Sequence, residues 1–313
     1  MIISLNKSET SYIPEMEKLL GERIYEFYER SETLKKLSEA DIIVTFGGGQ
    51  RSIPFDEEVL AACKNLKLVC SVTAGVEDLP LDKLHEKGVK ICNSRGAQGG
   101  SIAEYVMACM LVLSHNYHIL FRNQPNHQWG PLLPGEDLIG KTLCVVGTGA
   151  IGKIIGQKSK AMDMRVIGVD KYPMPFSAFE KIYGMDKLYE ALKQSDFVVL
   201  AAPLTEETFH MMGLKEFQVM KKTGVFINIS RGDTTDEQAL IHVLQERQIA
   251  GAILDVFHEE PLPKDSPLWS MENVLVTPHA AGPTKNTTLK VAQILCDNII
   301  RYRNGEEIIN AFK

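Results

Sequence analysis

The stretch that decides the fold is Thr142-Leu-Cys-Val-Val-Gly147-Thr-Gly149-Ala-Ile-Gly152, residues 142–152. On its own, Gly-x-Gly-x-x-Gly is a weak signal. Here an apolar run, Thr142–Val146, reads as a strand before it, and Ile151, Ile154, Ile155, Ala161 and Met162 carry a helical pattern after it. In that setting each glycine has a task. Gly147 permits a tight turn, Gly149 lets the backbone approach a pyrophosphate, and Gly152 lets the helix pack against the strand. The helix N-terminus then aims its unpaired N–H groups at the phosphates. Asp170 ends the next strand, Arg165–Asp170, 18 residues after Gly152. An acid there accepts hydrogen bonds from ribose hydroxyls and repels a 2′-phosphate, which favours NAD over NADP. Lys171 follows directly and could tolerate a phosphate, so NADP stays the less favoured alternative. The competing reading of the loop is a glycine-rich turn in some other α/β protein.

Outward from this loop, strands and helices alternate. The second half offers strands at Phe197–Ala202, Val225–Ser230, Ala252–Val256 and Val274–Thr277. Uninterrupted apolar runs such as Phe-Val-Val-Leu-Ala-Ala suit strands covered on both faces. The first third offers strands at Ile2–Leu5, Arg23–Phe27, Ile42–Phe46, Leu66–Ser71 and Val89–Cys92. Helical patterns fall between them at Pro14–Leu20, Ser31–Glu39, Asp56–Cys63 and Leu81–Lys87. Strict alternation implies parallel strands with crossover helices. Ser101 and Glu104 form a capping box that opens a long apolar helix to about Phe121, the natural crossing between two lobes. Residues 122–140, rich in Pro, Gly, Asn and His, read as a loop. A last amphipathic helix, 284–303, is expected to return to the first lobe, because the second sheet is complete near residue 277.

Bulk properties narrow the function. The chain has 313 residues, enough for two domains, each with a core. Its net charge of −6 argues against a broad nucleic-acid surface. No apolar stretch has membrane-spanning length. The N-terminus, MIISLNKSET, has one lysine and a very short apolar run, which is no signal peptide and suggests a cytoplasmic protein. Six scattered cysteines without a Cys-x-x-Cys spacing read as buried, reduced thiols, with no metal knot.

The residues after the second-lobe strands form a pattern. Gly147 follows the first strand, and Asp170 ends the second. Pro203 and Arg231 follow the third and fourth. Asp255 lies near the end of the fifth, with Glu260 in the loop beyond it, and His279 follows the sixth, in Thr277-Pro-His-Ala-Ala-Gly282. In a doubly wound sheet the carboxyl ends of the strands line one edge, where ligands bind. A carbonyl accepting a hydride also needs a proton, which a histidine can give near neutral pH. Glu260 could hold the imidazolium, and Arg231 could polarise the carbonyl and grip a carboxylate through its planar fork. That set fits reduction of a 2-oxo acid or oxidation of a 2-hydroxy acid. Singly, each residue also has a bland reading. Arg231 could pair with Asp233 in a turn, Glu260 belongs to a solvated acidic pair, and a lone histidine is often only a loop residue.

These motifs together resemble the D-isomer-specific 2-hydroxyacid dehydrogenase family over nearly the whole chain. The matching stretches are TAGVEDL (73–79), SIAEYVMACML (101–111), GKTLCVVGTGAIG (140–152), APLTEET (202–208), FINISRGD (226–233), LDVFHEEPLP (254–263), SPLW (266–269) and TPHAAG (277–282). The resemblance implies an α/β protein of two doubly wound parallel-sheet lobes. A flavodoxin-like substrate domain would take residues 1–97 and 284–313, and a Rossmann-type NAD-binding domain 98–283. It further implies Arg231 as substrate binder, His279 as acid/base and Glu260 as its partner. Backbone amides at Gly75 and Val76 would hold the substrate carboxylate. Gly147, Gly149, Ala150, Ile151 and Gly152 would hold the pyrophosphate, with Asp170, Ala202, Pro203 and Thr208 toward the adenosine. Ile229, Ser230, Arg231, Asp255, His279 and Gly282 would lie toward the nicotinamide. Members are usually homodimers joined through a region here at about 101–135. The implied partner molecule is a small 2-oxo or 2-hydroxy acid.

Departures are visible. Ser94-Arg95 stands where many relatives carry Pro after Thr or Ala. Arg95 is then either a surface arginine or a reader of an extra anionic group on the substrate. Ala150 replaces a basic or polar residue but leaves the backbone contacts intact. The chain shows no regulatory domain like that of some phosphoglycerate dehydrogenases and no long N-terminal extension like that of formate dehydrogenases. Two other functions are consistent with the resemblance: an NAD(H)-sensing, corepressor-like binding protein, and a 3-phosphoglycerate dehydrogenase.

Overall fold

A computed structural model describes residues 1–6, 12–46, 52–76, 78–130 and 132–312. Glu77, in the 73–79 motif, and Pro131, in the expected dimerisation region, lie outside the described residues. The chain divides into two compact units, Met1–Gln98 with Pro283–Lys313, and Gly99–Gly282.

The first unit is built on β1 (Ile2–Ser4), β2 (Ile24–Glu26), β3 (Ile42–Thr45), β4 (Leu68–Ser71) and β5 (Lys90–Asn93), in the order β5-β4-β3-β1-β2 and all parallel. A short strand, Ala311–Phe312, adds antiparallel beside β5. This order is the flavodoxin-like one. Side chains alternate between two cores. Ile2, Ile42, Leu68 and Cys70 pack with Val291, Leu295 and Ile299 of the helix Lys285–Arg303. Ile3, Ile43, Val69 and Ile91 pack on the other face with Leu37, Val59 and Leu84.

The second unit carries β6 (Thr142–Val146), β7 (Arg165–Val169), β8 (Lys181–Tyr183), β9 (Phe197–Leu200), β10 (Val225–Asn228), β11 (Gly251–Leu254) and β12 (Val274–Val276). All are parallel, in the order β12-β11-β10-β9-β6-β7-β8. The order reverses between β6 and β9, which makes a topological switch point at their carboxyl ends. The apolar runs serve two cores at once: Cys144, Val146, Val198 and Leu200 enter one cluster, and Leu143, Val145, Phe197 and Val199 the other. Each fully buried valine or leucine stabilises the fold by roughly 1.5–3 kcal/mol. That is why these strands have no polar face.

Three expectations are corrected. The long helix is two, Gly99–Ser114 and Tyr117–Asn123, because Asn116 takes the left-handed conformation with φ 57°. Asparagine tolerates that region, and the polar run Ser114-His115-Asn116 interrupts the apolar pattern at the break. Ser101 and Glu104 do not form a capping box. The helix has already begun at Gly99, Ser101 Oγ donates to Gly282 O, and Glu104 pairs with Lys158. Finally, β8 and the Ala311–Phe312 strand have no counterpart among the expected strands. Among the described residues, no helix is long and apolar enough to cross a membrane.

Candidate active site

The glycine loop joins β6 to the helix Ala150–Ala161. Gly147 has φ 95°, and a Cβ there would come within 2.6 Å of Ala202 N. At Gly152 a Cβ would come within 2.1 Å of Gly147 O, so only glycine allows this approach of helix to loop. At Gly149, the N-cap, a Cβ would meet nothing within 4 Å. The helix therefore opens onto free space with no side-chain cap on its first N–H groups, a fit for a pyrophosphate. Ala150 and Ile151 are the first residues of that helix, beside this space.

Asp170 lies at the end of β7. Its Oδ2 accepts from Thr148 N at 2.7 Å and Thr148 Oγ1 at 2.9 Å, and its Oδ1 from Tyr172 N at 2.9 Å. A carboxylate has about four acceptor directions, which leaves room for a ribose hydroxyl. Lys171 is gripped by both oxygens of Glu207, at 2.7 and 2.6 Å. Ala202 is buried beyond β9. Thr208 Oγ1 donates to Pro203 O at 2.6 Å and fixes the 203–208 turn.

Arg231 follows β10. Its turn is held by Asn228, a buried amide that donates to Arg231 O at 3.1 Å and accepts from Ser230 N at 3.0 Å. Ile229 and Ser230 are buried in the same turn. Arg231 Nη1 donates to Ser230 O at 2.8 Å. Asp233, read as a possible turn partner for Arg231, instead meets His258 Nδ1 at 2.5 Å. That hydrogen bond, with the Asp233 charge, raises the His258 imidazole above its ordinary value of 6.5. A Cβ at Gly232 would sit 1.9 Å from Phe257 O, so this turn and the 255–260 loop are packed backbone to backbone.

Glu260 Oε2 lies 2.9 Å from His279 Nδ1, and Glu260 Oε1 accepts from Phe257 N at 3.1 Å. The carboxylate accepts, so Nδ1 bears the hydrogen, and Nε2 is the nitrogen left for chemistry. Burial pushes the Glu260 carboxyl up. The His279 hydrogen bond and charge, the Phe257 N–H and the Arg231 charge outweigh it, and the carboxyl is held below its ordinary value. His279 has φ 52°, a left-handed conformation that histidine adopts at a cost of about 1 kcal/mol.

Asp255, read as a nicotinamide contact, has its carboxylate engaged within the loop. It accepts from Thr277 Oγ1 at 2.5 Å, Ala280 N at 2.8 Å and Ala281 N at 3.0 Å. Asn228, Thr148 and Thr277 hydrogen-bond the expected site residues Arg231, Asp170 and Asp255 and were not among the residues expected from the sequence. The available signal was a polar side chain in or beside an otherwise apolar strand. In the other unit, Gly75 O accepts from Thr73 Oγ1 at 2.7 Å, which shapes the turn that also carries Val76. The Arg95 side chain is exposed, and Arg95 N donates to Asn93 Oδ1 at 3.2 Å.

A glycine cradle at a helix N-terminus, with an Arg, a Glu and a His on neighbouring strand ends, defines a dinucleotide-dependent oxidoreductase. A family profile described as D-isomer specific 2-hydroxyacid dehydrogenase, NAD binding domain, matches residues 107–281. Over 280 residues the chain is 32% identical to a glyoxylate reductase of Korarchaeum cryptofilum, spanning 87% of this chain and 82% of that one. It superposes on the D-lactate dehydrogenase of Escherichia coli with a TM-score of 0.86 at 25% identity, covering 100% of both chains. It also superposes on a D-isomer specific 2-hydroxyacid dehydrogenase of Xanthobacter autotrophicus in complex with NADPH, with a TM-score of 0.81 at 26% identity, covering 100% of this chain and 97% of that one. The chain belongs to the D-isomer-specific 2-hydroxyacid dehydrogenase family, and it is an oxidoreductase of the CH–OH/C=O couple.

Proposed function

We propose that this protein is an NADH-dependent reductase of a small 2-oxo acid, working in the cytosol and able to run in reverse. The observation that carries this reading is the 2.9 Å pair of Glu260 and His279, beside Arg231 on the sheet edge that holds the glycine cradle. Bound nicotinamide supplies the hydride. Arg231 grips the substrate carboxylate and polarises its carbonyl oxygen. His279 Nε2 gives that oxygen its proton, and Glu260 fixes the ring and stabilises the imidazolium. Gly147, Gly149, Ala150, Ile151 and Gly152 receive the pyrophosphate, Asp170, Ala202, Pro203 and Thr208 flank the adenosine, and Ile229, Ser230, Asp255 and Gly282 border the nicotinamide. Free thiols at all six cysteines are consistent with a reducing compartment.

The test is NADH oxidation across a panel of 2-oxo acids, repeated with NADPH. Turnover is expected on at least one acid, with kcat/KM for NADH above that for NADPH by about tenfold or more. Asp170 and the engagement of Lys171 by Glu207 support that preference. No turnover on any acid would overturn the enzyme and favour a binding role, whereas NADPH preference would overturn only the cofactor assignment.

A homodimer joined through 101–135 is part of the same proposal. Phe121, Trp129 and Leu132 of this region are exposed apolar side chains, the last two almost fully. Large apolar side chains left this exposed within one segment are a reason to look for an interface there. Light scattering should give twice the chain mass for the wild type and the single-chain mass for Trp129→Asp/Leu132→Asp. A monomeric wild type counts against the dimer.

A further inference from the structure

The loop that carries His279 is braced from a helix with no residue in the proposed chemistry. Ser101 and Tyr105 lie four apart on Gly99–Ser114 and so share a face. Ser101 Oγ donates to Gly282 O at 2.8 Å, and Tyr105 Oη lies 2.7 Å from Thr277 Oγ1. Thr277 and Gly282 are the two ends of the His279 loop.

The direction of the hydrogen bonds follows from the acceptors. Asp255 is 2% exposed and takes the Thr277 hydroxyl at 2.5 Å and the N–H groups of Ala280 and Ala281, the two residues after His279. Thr277 therefore gives its only hydrogen to Asp255 and must accept from Tyr105. Burial pushes the Tyr105 phenol up, so it remains a donor. The Asp255 carbonyl accepts from His279 N at 2.9 Å. The held residue has φ 52°, a conformation that persists for a non-glycine residue only when its surroundings over-determine it.

We propose that Tyr105 and Thr277 are positioning residues for the reaction, acting through Asp255 to hold the His279 loop in its left-handed, Glu260-facing pose. This rests on His279 being the acid/base. Outer partners of this kind commonly change rates by tens of fold without touching substrate.

The test combines Tyr105→Phe, Thr277→Val and Thr277→Ser with a measurement that needs no turnover. Thr277→Val is expected to lower kcat by about 10–100-fold while NADH affinity stays within about twofold. Tyr105→Phe is expected to lower kcat by about tenfold, and the Tyr105→Phe/Thr277→Val pair to be no worse than Thr277→Val alone. Thr277→Ser, which keeps the hydroxyl, is expected to restore most of the rate. In a His279→Ala background, Thr277→Val is expected to leave the residual rate unchanged, which a general loss of structure would not do. Hydrogen exchange at the Ala280 and Ala281 amides should be faster in Thr277→Val. Wild-type kcat in Thr277→Val, equal damage in the His279→Ala background, or Thr277→Ser behaving like Thr277→Val would each overturn the proposal. Should wild type turn over no 2-oxo acid, the reaction assignment falls and the positioning role with it, while faster exchange in Thr277→Val would still show the loop to be held this way.

Discussion

Replacing His279 with alanine is expected to lower kcat for 2-oxo acid reduction by about 10²–10⁴-fold, the range for removing a positioned proton donor. NADH binding, measured by fluorescence titration, should be nearly unchanged, because the glycine cradle and Asp170 are separate from the imidazole. Glu260→Gln is the companion variant. It keeps an oxygen that can accept from Nδ1 but removes the charge that favours the imidazolium, and about 10²-fold should be lost. The pH dependence follows from the lowered Glu260 carboxyl. A depressed carboxyl contributes above its unfolded-state value, and that contribution is lost as pH falls through its folded-state value. The contribution of Glu260 in the wild type should therefore be lost only as pH falls below the ordinary glutamate range, and Glu260→Gln should lack that acid step. Retention of wild-type kcat in His279→Ala would remove histidine from the chemistry. Loss of NADH binding in the same variant would mean that the damage is structural.

The second large effect is expected at Arg231. Arg231→Ala should lower kcat/KM by about 10³-fold or more, with a higher KM, because one side chain both grips the carboxylate and polarises the carbonyl. Arg231→Lys separates the two contributions. Lysine keeps the charge and loses the fork, and about 10²-fold of the defect should remain. The turn itself should survive, since Asn228 and Thr234 hold the Arg231 backbone carbonyl, at 3.1 and 2.6 Å. A lysine variant as active as wild type would show that charge alone suffices and that bidentate recognition is not used.

The glycine loop, the six strand-end positions and the two-lobe alternation were legible because their causes are local or periodic. Strands covered on both faces must be largely apolar, so β9 and β11, and all but one end residue of β6 and β10, stand out as apolar runs. What stayed hidden depends on partners distant in sequence. β8 is a three-residue edge strand that begins with a lysine and carries little hydrophobic signal. The break at Asn116 is a single left-handed residue in the short polar run 114–116, which a continuous helix could equally carry on an exposed face. The engagement of Asp255 could not be read from Leu-Asp-Val-Phe, because its donors lie 22 to 26 residues away, in the His279 loop. Tyr105 looks like any core aromatic until Thr277, 172 residues on, is placed against it.

The seam at Gly232 bears on how this enzyme can be altered. The Arg231 turn and the 255–260 loop touch through main chain, with no side chain between them to be trimmed or enlarged. Asp233 and His258 fasten the same seam from outside. A transplant of one segment from a relative would arrive with a backbone path that its neighbour does not match. The two segments are one inheritable block, to be exchanged together or left alone, and libraries that diversify either one singly should yield mostly unfolded or inactive chains.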